Sequence, residues 1–413
     1  MLRLEAVEGA TEPTLTSAIS DLVIYCPSAA SGKTPDYLRR TLLGLTVGER
    51  VLLAASFGGV KRVAFVGPGT PPSSARASLQ VVSLDLISGT GRALFVTADA
   101  VFDRKLLGSP HLAPEGGPLR RLSATELDAL QRDPSVAAAG PGLADSGEGF
   151  ALRVTDDASA RCAEWALLQS LRKPIDGVVS RHLNRHVSTF LTRYLVKTGL
   201  SPNVFTVIFL GIGLLAGYFA LQGGPWWALV LAGFLFQAQS ILDGCDGEIA
   251  RLTHQFSKAG QWLDSIGDDI TNYTFCFCLA LGQAWAGGGD WLVTAGAITL
   301  AAQVLVSGIL YRRLIMLGTG DLLAIPDLVT KSPTLPPGGG AASAADAQSP
   351  VLAFIRAISK RDAFVAIIAG LTALQLPVAA FVIYAVGTVG ILFGVALNDY
   401  LISKRDAASR RSA

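Results

Sequence analysis

Charge is scarce in this chain: Asp, Glu, Lys and Arg make up 16% of its 413 residues, and the formal net charge is only +2 at pH 7. A balance so close to neutral offers no broad basic field, so nucleic acid is not expected as a partner. Cysteine is sparse too. The five, Cys26, Cys162, Cys245, Cys276 and Cys278, show no metal-ligand spacing, and the last two stand only two positions apart inside an apolar run. They read as free thiols, which leaves a zinc ribbon or a disulfide scaffold without support. Residues 1–20 hold Glu5, Glu8 and Glu12 and lack an apolar core, so no cleaved secretion signal is expected there and the amino terminus is expected in the cytosol.

What the chain has instead is apolar length. Half of the residues are hydrophobic, and the mean hydropathy is +0.45. The excess is uneven. Residues 1–170 alternate short β-branched runs at 21–26, 62–66, 80–84 and 93–96 with a helical stretch at 48–57, an α/β layout with a parallel sheet expected. Beyond them come apolar runs at 203–221, 225–247, 262–286, 291–311, 363–377 and 378–402, each approaching the roughly 20 helical residues needed to cross a bilayer core. The expected fold is a polytopic α-helical membrane protein of six transmembrane helices plus an amphipathic interfacial helix, with an N-terminal soluble α/β domain. The expected domains are 1–170 (cytosolic), 171–200 (juxtamembrane helix) and 201–405 (membrane).

An even number of spans puts both termini on one side, and the loop charges say which. Arg181, Arg185, Arg193 and Lys197 precede the first span, Arg251 and Lys258 follow the second, Arg312, Arg313, Lys331, Arg356, Lys360 and Arg361 follow the fourth, and Lys404, Arg405, Arg410 and Arg411 follow the sixth. The opposite loops, 222–224, 287–290 and 375–377, contain no Lys or Arg. By the positive-inside rule the chain is expected in the inner, cytoplasmic membrane, multi-pass, with both termini cytoplasmic. Trp226, Trp227, Trp285 and Trp291 fall at the outer span ends, where indoles prefer the headgroup region. Across 176–197, Val178, Val179, Leu183, Val187, Phe190, Leu191, Tyr194 and Leu195 alternate with Arg181, His182, Arg185, His186 and Arg193 at helical period, the pattern of a helix lying on the inner leaflet. Residues 332–350, rich in Pro, Gly, Ala and Ser, read as a flexible cytoplasmic loop.

The chemistry sits between Asp243 and Asp268. Ionisable groups at membrane depth cost about 2.5–3.5 kcal/mol each and are tolerated where they line a functional cavity. If the second span continues as a helix to Arg251, then Asp243, Asp246, Gly247 and Ala250 share one face, and Gly260, Asp264 and Asp268 step by four along the next helix. Two such faces meeting at the membrane surface gather four carboxylates, which cations must neutralise. Oxygen-only ligation suits Mg²⁺ or Mn²⁺, and two such ions are a common device for displacement at phosphorus. Gly247 and Gly260 leave room for a diphosphate against the backbone, and Arg251 supplies a charge for phosphate. A membrane prenyltransferase and a non-enzymatic cation transporter are the competing classes. The first lacks the Gly-x-x-Ala-Arg element, and the second calls for ionisable residues deep in several spans, whereas the last two are almost bare until Asp399.

The segment Asp243-Gly-Cys-Asp246-Gly247-Glu-Ile-Ala250-Arg251, eight residues, then Gly260-Gln-Trp-Leu-Asp264-Ser-Ile-Gly-Asp268 resembles the CDP-alcohol phosphotransferase signature at every fixed position. The likeness takes in the six spans and Ser201-Pro202-Asn203-Val-Phe-Thr206 at the start of the first. It implies metal-dependent transfer of a phosphoalcohol group from a CDP-alcohol donor to the hydroxyl of an alcohol or polyol-phosphate acceptor, with release of CMP, in phospholipid or inositol-phosphate biosynthesis. It further implies two ions on Asp243, Asp246, Asp264 and Asp268, with Asp268 also the base, and a CDP site lined by Asp243, Asp246, Gly247, Ala250, Arg251, Gly260, Asn203 and Thr206. Membrane lipid and a second copy of the chain are the implied partners.

In the soluble half, residues 44–63 and 94–103 look similar to nucleotidyltransferase domains, in which an aspartate at the position of Asp99 holds the metal. The glycine-rich triphosphate loop of such enzymes is missing from 22–33, so a degenerate domain is expected. Ser31-Gly32-Lys33-Thr34 ends like a Walker A loop but has Pro27 where the first glycine belongs. The fusion as a whole resembles archaeal inositol-phosphate cytidylyltransferases joined to di-inositol-phosphate phosphate synthases.

Overall fold

A computed structural model describes residues 21–26, 39–67, 69–88, 93–108, 119–122, 124–133, 149–172, 179–320, 322–326 and 361–412. The stretches 31–34 and 332–350 lie outside them. The chain divides into two compact units, Met1–Ser170 and Leu171–Ala413.

The first unit contains β1 (Asp21–Tyr25), β2 (Thr41–Leu42), β3 (Leu45–Thr46), α1 (Val47–Phe57), β4 (Arg62–Val66), β5 (Gln80–Val81), α2 (Leu84–Ser88), β6 (Ala93–Thr97), β7 (Ala100–Phe102), β8 (Leu119–Leu122), α3 (Ala124–Arg132), β9 (Ala151–Arg153) and α4 (Asp157–Ser170). The main sheet runs β5-β4-β1-β6-β8, with β8 antiparallel to β6 and the other pairings parallel. Central β1 and β6 are buried at every position, as strands covered on both faces must be. The expected strand at 80–84 stops at Val81, because it pairs with β4 only through Gln80 and Val81 and the chain turns into α2 at Leu84. Thr46 caps α1 by accepting from the Glu49 amide at 3.2 Å, half of the reciprocal Thr-x-x-Glu arrangement. Buried Arg50 donates to the Leu42 and Leu43 carbonyls, and its burial pushes the guanidinium down to about 10.

Among its described residues the second unit is built of helices and the turns that join them. A wide turn, Ser180–Asn184, leads into α5 (Arg185–Leu195), followed by α6 (Pro202–Leu221), α7 (Trp226–Thr253), α8 (Lys258–Gln283), α9 (Trp291–Leu317), α10 (Arg361–Ala373) and α11 (Pro377–Ser412). Among the described residues four helices, α6, α7, α9 and α11, are long and apolar enough to cross a membrane. The polar first half of α8 and the short described length of α10 keep those two below that standard. The interfacial helix presents Leu183, Val187, Phe190 and Tyr194 outward and buries Asn184, Ser188 and Thr192, the reverse of a soluble surface helix. All four span-end tryptophans are exposed.

Helix α8 lies against α6 and α9 and meets α7 at a pair of rings. Phe236 and Phe275 stack with ring centroids 3.9 Å apart, and a Cβ on Gly213 would fall 2.3 Å from the Thr271 side chain, so only glycine lets α6 approach α8 this closely. All five cysteines are free, and burial pushes the Cys26 thiol up to about 12.

Candidate active site

Helix α7 continues unbroken past its apolar stretch to Thr253, so Asp243 through Arg251 are helical. It ends at His254, whose φ of 51° is left-handed and turns the chain back within three residues. Ser257 then caps α8, its hydroxyl accepting from the Gly260 amide at 2.9 Å. The turn therefore brings the last two turns of α7 beside the first two of α8.

Ligand oxygens of Asp243, Asp246 and Asp264 lie within 4.8 Å of one another. Asp246 is 5% exposed. It accepts from the Thr206 hydroxyl on α6 and from the Gly247 amide at 2.5 Å, donors that fix where its two oxygens point. The donor set is carboxylate oxygen only, and its converging negative charge fits a hard divalent ion. Asp268 stands one helical turn beyond Asp264 on α8, outside this group of three.

Beside the carboxylates a cleft of about 150 Å³ is lined by Asn203, Thr206, Asp246, Gly247, Ala250, Arg251, Gly260 and Asp264. Of the eight residues assigned to a nucleotide from sequence, seven line this one space, and Asp243 stands outside its lining. A Cβ on Gly260 would sit 2.8 Å from both Asn203 Oδ1 and Ser257 Oγ. Pro202 takes the first helical position of α6 and Ser201 the cap, which frees the Asn203 side chain to face the cleft. Gln255, Phe256, Ser257 and Gln261 also line it. Gln255, Phe256 and Ser257 escape a reading from sequence because a tight turn has no period, whereas Gln261 sits in the first turn of α8. Phe256, a large apolar ring in a polar turn, was the one available signal.

The two other acids of the segment turn away. Glu248 is fully buried and accepts from Arg185, Ser188 and Thr192 of the interfacial helix. Asp269 accepts from Ser307 and from Tyr311, the latter at 2.5 Å, on α9. On α11, Asp399 pairs with Arg312 at 2.6 Å and Arg313 at 2.5 Å.

In the first unit Asp99 is 4% exposed, and Arg153 meets both of its carboxylate oxygens, Nη2 to Oδ2 at 2.7 Å. The Arg153 guanidinium thus already offsets the charge of this carboxylate.

The sequence model of the CDP-alcohol phosphatidyltransferase family matches residues 200–332, which span α6 through α9 and the whole aspartate segment. The chain is similar to the "Bifunctional IPC transferase and DIPP synthase" of Thermococcus kodakarensis, 43% identical over 105 residues, 25% of this chain and 23% of that protein. It is similar to the archaetidylinositol phosphate synthase of Pyrococcus horikoshii, 38% identical over 114 residues, 27% of this chain and 55% of that protein. A third relative, the CDP-diacylglycerol–glycerol-3-phosphate 3-phosphatidyltransferase of Cereibacter sphaeroides, is 32% identical over 112 residues, 26% of this chain and 48% of it. The chain spans between about a quarter and about half of the length of these relatives.

Proposed function

We propose, from the CDP-alcohol phosphatidyltransferase match over 200–332, that the membrane unit moves a phosphoalcohol group from a CDP-alcohol to an acceptor hydroxyl and releases CMP. The observation that carries this reading is the triad of Asp243, Asp246 and Asp264 at the edge of a cleft lined by Gly247, Ala250, Arg251 and Gly260. Two Mg²⁺ or Mn²⁺ ions on Asp243, Asp246, Asp264 and Asp268 would offset the charge of the diphosphate. Asp268 takes the acceptor's proton as its oxygen bonds to the β-phosphorus, and the bond from that phosphorus to the CMP oxygen breaks. Arg251 holds a phosphate, Gly247 and Gly260 admit the nucleotide against the backbone, and Asn203 and Thr206 complete the pocket.

Six spans, α6 through α11, with both termini in the cytoplasm, are the arrangement that sets this site at the inner face of the cytoplasmic membrane, the side from which a nucleotide arrives. The donor is of the CDP-diacylglycerol or CDP-inositol type. Relatives named for DIPP and archaetidylinositol phosphate synthesis support a polyol-phosphate acceptor. The working form is a homodimer. Residues 1–170 are a degenerate nucleotidyltransferase-like domain, a reading the Arg153–Asp99 pair supports.

The test is CMP release by the purified full chain in lipid vesicles with Mn²⁺, screening CDP-diacylglycerol and CDP-inositol against glycerol phosphate, inositol and inositol phosphate. Turnover with one pair is expected, and Asp268→Asn is expected to abolish it while leaving the protein folded. Absence of CMP from every pair would refute the reaction, and full activity in Asp268→Asn would refute the base.

A further inference from the structure

Glu248 lies two positions beyond Asp246 and so about 200° around the axis of α7, on the side facing away from the cleft. It is fully buried, yet it is not matched by a single partner. Arg185 Nη1 meets Oε1 at 2.7 Å, the Ser188 hydroxyl donates to Oε1 at 2.7 Å, and the Thr192 hydroxyl donates to Oε2 at 2.7 Å. These three donors step by three and four along α5, so one carboxylate gathers one face of that helix. The rest of the seam is polar as well: Gln237 donates to Asn184 Oδ1 at 3.2 Å, and the Cys245 thiol faces the Ser188 carbonyl at 3.6 Å.

An apolar seam would hold two helices together at least as well as a buried ion pair, whose desolvation cancels much of its attraction. What apolar packing does not do is fix rotation, since side chains of one shape slide past another. A charge shared by three donors at set positions does fix it. The rotation of α7 decides where Asp243 and Asp246 point.

We propose that Glu248 is a positioning residue, locking the interfacial helix to α7 so that the metal-bearing turn keeps its rotation, and that α5 is thereby a working part of the active site. The inference rests on the phosphotransfer reading above. It also gives Arg185, which the sequence pattern placed on an inner-leaflet helix, an intramolecular partner.

The test uses the full chain in nanodiscs, with Mn²⁺ affinity read by electron paramagnetic resonance without nucleotide, and kcat and KM measured for the pair the wild type turns over. Glu248→Gln is expected to weaken Mn²⁺ binding by about tenfold or more, the usual consequence of losing support around a metal site, with most of kcat recovered at saturating Mn²⁺. Arg185→Met combined with Glu248→Gln is expected to bind Mn²⁺ better than Glu248→Gln alone, because the double variant removes both charges of the pair. Should Glu248→Gln fold poorly, Ser188→Ala and Thr192→Val, each removing one hydroxyl, are expected to give a smaller loss in the same direction. Wild-type Mn²⁺ affinity in Glu248→Gln, or in both hydroxyl variants, would overturn the lock, as would a loss of active fraction at unchanged affinity. Mn²⁺ binding that depends on Glu248 in a protein with no turnover would sink the reaction instead.

Discussion

Replacing Asp264 by Asn should make the metal-free protein more stable, an unusual sign for a substitution at a half-buried polar residue. Ligand oxygens of Asp243, Asp246 and Asp264 lie within 4.8 Å of one another. Two unit charges at such a separation repel by about 3.5 kcal/mol at an effective dielectric of about 20. Asp264 faces two of them and is partly open to solvent, so side-chain movement, protonation and water leave only a fraction of that sum, about 1–2 kcal/mol. For a unit of this size each kcal/mol moves the midpoint by roughly 2–4 °C, so Asp264→Asn should melt about 2–8 °C above wild type in EDTA. With Mn²⁺ the order should invert. Wild type gains about 2.7 kcal/mol at a hundredfold excess over the dissociation constant, whereas the variant has lost a ligand charge and gains less. Thermal unfolding of the full chain in one detergent, with EDTA and with MnCl₂, reads both differences. A variant that melts at or below wild type in EDTA, or that Mn²⁺ protects equally, would refute a shared cation site.

Thr206→Val keeps shape but removes the hydroxyl donor to Asp246; hydrogen bonds to charged groups are worth about 1.5–3 kcal/mol, so Mn²⁺ affinity measured by calorimetry should fall about ten- to hundredfold. Gly260→Ala places a Cβ 2.8 Å from Asn203 Oδ1 and Ser257 Oγ, and steady-state kinetics should show KM for the CDP donor rising about tenfold or more through misplacement, with Mn²⁺ affinity unchanged. Arg153→Met leaves Asp99 buried without its guanidinium and should destabilise the soluble unit by about 3–5 kcal/mol in urea titration, while CMP release by the membrane unit stays at the wild-type rate.

The cleft was legible because helices have a period. Asp243, Asp246, Gly247 and Ala250 differ by three, four and seven positions, and once α7 is known to run to Thr253 their common face follows. Gly260 and Asp264 follow in the same way from α8. Gln255 and Phe256 were not legible, since their place depends on His254 adopting a left-handed backbone, a choice made by the chain reversal and not by local pattern. Partnerships across long separations were equally hidden. Arg153 reaches Asp99 through the antiparallel pairing of β7 with β9, 54 residues apart, and Ser188 reaches Glu248 across 60. Periodicity places a residue on a face and does not say which element will cover that face. The sequence offered six apolar runs, of which four described helices, α6, α7, α9 and α11, are long and apolar enough to cross a membrane, while α8 carries the aspartates and falls below that standard.

Helices α7 and α8 solve one problem in the same way. Between lipid-facing helices the apolar side chains gain little from choosing one neighbour over another, so packing alone specifies rotation weakly. Each of the two aspartate-bearing helices carries, close to its cleft-facing aspartates, a second acid turned outward to hydroxyl donors on a neighbouring helix. On α7 it is Glu248, bound by Ser188 and Thr192, and on α8 it is Asp269, bound by Ser307 and Tyr311. Tyr311 also donates to the Ser265 carbonyl at 3.2 Å, one residue beyond Asp264, which fixes the height of α8 as well as its rotation. With the two helices braced from opposite sides, like-charged carboxylates can be kept within reach of one another when no cation is present, because turning either helix to relieve the repulsion would break bonds to a buried charge.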